Sequence, residues 1–281
     1  MSRSVGNSGL MWVAGLALAL ASSPAEAAPR SRSKPPKFDA KATAQLLTSG
    51  DPARLREGFA AVRAGGKDAA PVLPLLVRLL DRGLSRELAK EALGATAEIG
   101  EPSSSGDVAR YAKHRDAEIR RAALGALTKV RGSAAVPTMR GALSDADARV
   151  RGAAASGLGA LGAHEALPEL TLALSRKVLE AAAAIGQLCR GDECEAFARQ
   201  TTKLPLDVMT SGFQQILSRA DVSDDQKVKI IERVRDLATG EAHRFLKGQA
   251  EGFSGSDRVK TALEQAARAT AGAVDSKKEA P

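Results

Sequence analysis

Aromatic side chains are scarce in this chain, at 3% of its 281 residues, with six Phe, one Tyr and one Trp. A core with so few rings must be filled by small side chains, so its elements have to approach one another closely. Extended runs of Val, Ile and Tyr are missing, which excludes a sandwich or barrel. Few rings also leave little on which nucleic-acid bases could stack, so no nucleic-acid partner is expected. Only two cysteines are present, too few for a disulfide scaffold or a Cys-rich zinc site. There is no G-x-S-x-G, no HExxH and no Gly-rich phosphate loop behind a strand. His114, His164 and His243 have no second ligand at helical spacing. No catalytic, metal or cofactor-binding residue is assigned, and no cofactor is expected.

What is abundant is Ala and Leu, the combination that gives strong helix propensity with close approach of helix axes. The expectation is an all-α protein.

The first residues form a pattern of their own. Arg3 supplies a basic n-region, Leu10 to Ala21 an uncharged apolar run, and Ala25-Glu26-Ala27 an A-x-A cleavage pattern. Residues 1–27 therefore read as a secretory signal peptide, with export to the periplasm or the medium. The run is shorter than the roughly 20 apolar residues of a membrane span, and no transmembrane segment is expected after its removal. Residues 28–38 (APRSRSKPPKF) read as a disordered basic linker rich in Pro and Ser. Arg30, Arg32, Lys34 and Lys37 in it carry half of the net charge of +8, so the body behind is only mildly basic. The tail 274–281 is likewise read as disordered.

Between these ends the chain repeats itself. Residues 116–143 and 147–174 align at an offset of 31, which pairs Asp116 with Asp147, Ile119 with Val150 and Arg120 with Arg151. The same offset pairs Ala123 with Ala154, Leu127 with Leu158, Pro137 with Pro168 and Leu143 with Leu174. Upstream, Leu88, Ala92, Gly94 and Ile99 match Ile119, Ala123, Gly125 and Val130. Each unit is a helix pair. The longer helix has an apolar stripe at helical spacing, an Asp at its N-cap, and Gly132 or Gly162 placed for a left-handed C-terminus. The shorter helix begins near the Pro. Neither helix can bury its apolar face alone, so units must stack, and at least three are present.

The segment DARVRGAAASGLGALGAHEALPEL resembles the HEAT repeats of the phycobilin-lyase type. The resemblance is clearest over 84–190 and extends over 39–273, with an irregular stretch at 195–240. It implies an α-solenoid of stacked antiparallel helix pairs, a HEAT-like superhelix whose longer helices line the concave face. It does not imply lyase activity, because most relatives with this repeat act as scaffolds.

After Cys194 the rhythm breaks. Residues 205–219 and 223–238 both read as helical but stand too close together to be equivalent long helices. Ser223 and Gln226 fit a capping box. The segments GEAHRFLKGQA and SDRVKTALEQAARA read as a last pair.

Cys189 and Cys194 flank a Gly-Asp turn, a spacing suited to a disulfide clipping one helix end to the next helix start. Basic residues recur where long helices begin: Arg86, Arg120 and Arg121, Arg149 and Arg151, Arg176 and Lys177, then Lys227, Lys229, Arg258 and Lys260. Arg120 and Arg151 are expected to pair with turn carboxylates such as Asp116, Asp145 and Asp147. The sharper reading of the same residues is a basic edge able to meet an anionic ligand or envelope surface. The leading expectation is a non-enzymatic scaffold that binds a protein partner of unknown identity through its concave surface. Arg120, Arg121, Arg151, Ser156 and Glu180 are the candidate contacts. A lyase-like accessory enzyme is the remaining alternative, and it would need a pocket with convergent titratable groups.

Overall fold

A computed structural model describes residues 37–273, and among them every regular element is a helix. The signal pattern, most of the linker and the tail lie outside the described residues. Helix α1 (Ala40–Leu47) opens the stack, with Asp39 as its N-cap. The first pair follows as α2 (Pro52–Gly65) and α3 (Leu73–Asp81), the second as α4 (Arg86–Ile99) and α5 (Ser105–Tyr111). Next come α6 (Ala117–Val130) with α7 (Ala135–Ala142), and α8 (Ala148–Leu161) with α9 (Leu167–Ser175). The last three pairs are α10 (Glu180–Leu188) with α11 (Asp192–Ala198), α12 (Leu206–Ser218) with α13 (Asp224–Arg235), and α14 (Gly240–Gly252) with α15 (Asp257–Ala269).

The local signals act largely as the residue types dictate. Asp116 accepts from the Glu118 backbone N–H, and Asp147 from those of Arg149 and Val150, satisfying donors that a helix start leaves free. Ser223 accepts from the Gln226 N–H in the same way. Gly162 closes α8 in the left-handed region at φ 71°. Helix α6 differs: Arg131, not Gly132, takes the left-handed position, at φ 55°. Gly132 serves another need, because Ser105 Oγ and the Pro102 carbonyl occupy the space a Cβ there would take. Arg131 is tied in place by its guanidinium, which donates to the Ala160 carbonyl at 2.9 Å.

The predicted stripe is the core. Ile119, Ala123, Leu127 and Val130 are at most 3% exposed, and Val150, Ala154 and Leu158 are fully buried. From α2 to α12 the long helices pack broadly on one another, while the short helices α3, α5, α7 and α9 meet their counterparts sparingly. A stack tighter on one row than on the other bends toward the tight row. The long helices therefore line the inner face of this part, as the repeat implies.

Small residues make that tight row. Gly159 lies against Ala184 and Gln187, and the Gly212 backbone fills the place of a Cβ on Gly186. At the end of the chain the preference changes. Helices α12 and α14 touch little, whereas α15 packs broadly on both α13 and α14. Residues 205–219 and 223–238, expected to be inequivalent, are the two members of one pair: α12 continues the long row and α13 the second row. Phe197, Phe213 and Phe245 form a chain of rings here, with centroids 5.3 and 6.2 Å apart.

Candidate interaction surface

Residues one repeat apart face each other across the seams between stacked helices, so a charge can reach the neighbouring unit. Arg56 pairs with Glu91 at 3.2 Å, Arg86 with Asp116 at 2.6 Å, and Lys90 with Glu118 at 2.9 Å. Lys129 joins Glu98, Arg140 joins Glu169, and His164 Nε2 stands 2.8 Å from Glu193. Lys229 with Glu195, at 3.1 Å, carries the ladder into the irregular part. The hydrogen bond from Lys90 holds the Glu118 carboxyl below the usual carboxylate range, and the one from Arg140 does the same for Glu169.

Arg120 is the most enclosed rung. Its Nε and Nη2 donate to the two Asp145 oxygens at 2.8 and 2.6 Å, and its Nη1 to the carbonyls of His114 and Arg115 at 2.9 and 3.1 Å. The two side chains are only 14% and 12% exposed. The Arg120 bond, foremost, holds the Asp145 carboxyl below its ordinary range. Arg151 repeats half of this arrangement. Its Nη1 donates to the carbonyls of Asp145 and Ala146 at 2.8 and 3.0 Å. One repeat beyond Asp145 stands Arg176, so Arg151 has no equivalent carboxylate and, unlike Arg120, makes no carboxylate pair among the described residues. Asp147 pairs instead with Arg149, at 3.3 Å.

The five candidate contacts thus divide. Arg120 and Arg151 are tied into the loops between pairs and are half-buried. Arg121 is exposed in the second turn of α6 and Glu180 in the first turn of α10, the Glu180 carboxylate lying over Gly152. Ser156 is exposed in the middle of α8, on the inner face. At the same offset, Gly94 and Gly125 occupy the middles of α4 and α6, and a Cβ at either would meet nothing within 4 Å. These two positions were missed, although their register with Ser156 is written in the sequence. Together they form a strip where only small residues lie between flanking charge pairs.

Cys189 caps α10 and Cys194 lies in α11, with their sulfurs at disulfide distance, 2.05 Å. Among the described residues, Leu172 and Leu179 are the large apolar side chains left exposed, at 49% and 52%. Among the described residues, no three His, Cys, Asp or Glu side chains are grouped to hold a metal ion, and no helix is long and apolar enough to cross a membrane.

No curated protein matches the chain. Among solved structures, it is similar to the complex of CpcE and CpcF of phycocyanin lyase from Nostoc sp. PCC7120, at 18% identity and a TM-score of 0.46, covering 85% of this chain and 97% of that one. A designed armadillo repeat protein is similar at 18% identity and a TM-score of 0.40, covering 83% of this chain and 100% of that one. Residues 108–189 match the HEAT repeats family. With helix pairs stacked at the offset read from the sequence, the chain is a HEAT-like repeat protein.

Proposed function

We propose that this protein is an exported, non-enzymatic scaffold that binds a protein partner along the inner face of its long helices. The observation that carries this reading is the strip of Gly94, half-buried, with Gly125 and Ser156, both exposed. Glycine in a helix interior costs about 0.5–1 kcal/mol relative to alanine. Packing does not demand it at Gly94 or Gly125, where a methyl group would point into open space. An absent side chain there lets a partner approach the helix backbone closely. The flanking charges pair with one another across repeats, so apolar and backbone contacts are expected to dominate.

Export rests on the pattern of residues 1–27, and the Cys189–Cys194 pair suits an oxidising compartment. Cell fractionation with thiol alkylation checks it: a processed chain outside the cytoplasm with both thiols blocked is expected, and a cytoplasmic chain with free thiols sinks it.

The scaffold reading is tested by crosslinked capture from the envelope fraction, comparing the protein with Gly125→Phe and with Lys113→Glu, an exposed change off the inner strip. Loss of the same partner in the first variant only, with both folded, is expected. Equal capture by all three would refute the inner face. A strong fall in capture on raising salt would favour the basic edge instead.

A further inference from the structure

Where α12 and α14 stand apart, a cleft of about 610 Å³ opens between them, a size typical of small-ligand sites. One of its lining residues is out of keeping with the fold. Lys227 lies on the buried side of α13 with Ile230, Ile231 and Val234, and is only 7% exposed. Lysine is rarely buried without a partner. In the first turn of a helix its charge also opposes the local dipole. Yet among the described residues no carboxylate stands within ion-pair distance of its Nζ, and no hydrogen-bond acceptor reaches it. Among the described residues no wholly enclosed side-chain nitrogen lacks a partner, so Nζ keeps an opening, and the cleft that Lys227 lines supplies it.

The other lining groups narrow what could sit there. Arg219 is engaged elsewhere, with Asp221 and with the carbonyls of Gly186 and Cys189. The remaining charges are Lys227 and Asp224, which do not pair with each other. With one cation and one carboxylate in the lining, a single negative charge is repelled less by Asp224 than a dianion such as phosphate, and Lys227 alone can balance it. Gln214 and Gln249 add neutral amide groups able to donate and accept, and Leu217 and Phe253 add apolar wall. We infer that this cleft binds a carboxylate carried beside an apolar group, the chemistry shared by a polypeptide C terminus and a small arylalkyl acid. Lys227 supplies the counter-charge and the ring and aliphatic walls hold the apolar group.

Calorimetry on the full chain tests this with an N-acetylated tripeptide ending in phenylalanine, as free acid and as amide, and with phenylpropionate. The free acid is expected to bind at least tenfold more tightly than the amide. Lys227→Met removes that difference and Lys227→Arg restores part of it, with thermal melts verifying that each variant is folded. If Lys227→Met does not fold, Gln249→Glu places a second anion in the cleft and is expected to weaken the acid at least tenfold. Tripeptide binding tenfold tighter than phenylpropionate assigns the site to polypeptide C termini, and the reverse to small acids. Equal binding of acid and amide, no saturable binding of either, or a preference that survives Lys227→Met or Gln249→Glu overturns the inference.

Discussion

From α2 to α10 the long helices close on one another and the short ones spread, whereas from α12 to α15 the long helices part and the second row closes. The same kind of building block makes both arrangements. What differs is the size of the residues at the seam. In the body, Gly159 and Gly186 let the long row approach, and Gly186 meets the Gly212 backbone at the last tight seam. Beyond it, Phe213 and Phe245 stand between α12 and α14. Four of the six phenylalanines, Phe197, Phe213, Phe245 and Phe253, belong to this end of the chain. Rings bury more area than methyl groups but demand space. The end of the stack thus combines the bulkiest core with the cleft beside α14.

The largest effect is expected from removing the central ring. Phe213 is fully buried and touches both other rings of the chain. Phe213→Ala should cost about 3–5 kcal/mol. Because a repeat stack need not unfold as one unit, the loss should be local. Hydrogen exchange is expected to show α12 to α15 deprotected while α4 to α8 keep their protection. Uniform loss across the chain would mean that the two regions are one cooperative unit.

The body is broken by the opposite change. A Cβ on Gly186 collides with the Gly212 carbonyl, backbone that cannot swing aside as a flexible side chain can. Gly186→Ala should therefore destabilise by about 1–3 kcal/mol through overpacking, although alanine is the better helix former. Denaturant unfolding measures it, and a neutral or stabilising result would show that the seam is not tight.

How much of this the sequence disclosed follows the same division. In the body the offset of 31 placed helix pairs, the Asp caps and the buried stripe correctly, since each rests on residues within one unit. The cap at Arg131 was misread because Gly132 answers to Ser105 and Pro102, far back in the chain. Asp145 was among the expected partners of Arg120, and Arg151 was expected to behave alike, yet Arg176 replaces the carboxylate it would need. At the end, the helices themselves were legible. Which row closes was not, because it depends on how rings from three helices meet. Lys227 looked like one more exposed base at a helix start, since nothing local marks that turn as buried.

Acidification separates the most enclosed rung of the ladder from the exposed ones. Asp145 has its folded-state pKa depressed below the ordinary carboxylate value of about 3.9. Its contribution is then fully present above that ordinary value and is lost as pH falls through it toward the depressed one. Asp145→Asn should cost about 1–3 kcal/mol near neutral pH, since it leaves Arg120 without its counter-charge. The gap from the unchanged protein should shrink as the pH is lowered below 3.9, the ordinary carboxylate value. Stability measured by denaturant titration across this range checks the sign. A gap that stays constant would show that the pair contributes through shape and not through charge.

The smallest effect carries the most about function. Gly94 and Gly125 are helical residues of the long row like Gly186, but a Cβ on either meets nothing within 4 Å. With helical backbone and free space, Gly→Ala removes unfolded-state freedom and adds helix propensity, so each should stabilise by about 0.5–1 kcal/mol. The same substitution is thus expected to change sign between the seam and the inner strip. Measured together, Gly186→Ala and Gly125→Ala distinguish a glycine required by packing from one that packing leaves open. Should Gly125→Ala destabilise, the glycine would answer to a structural need, and the strip would lose its standing as a surface kept clear for a partner. Should it stabilise while weakening partner capture, the stability lost to glycine at this position would be explained by binding.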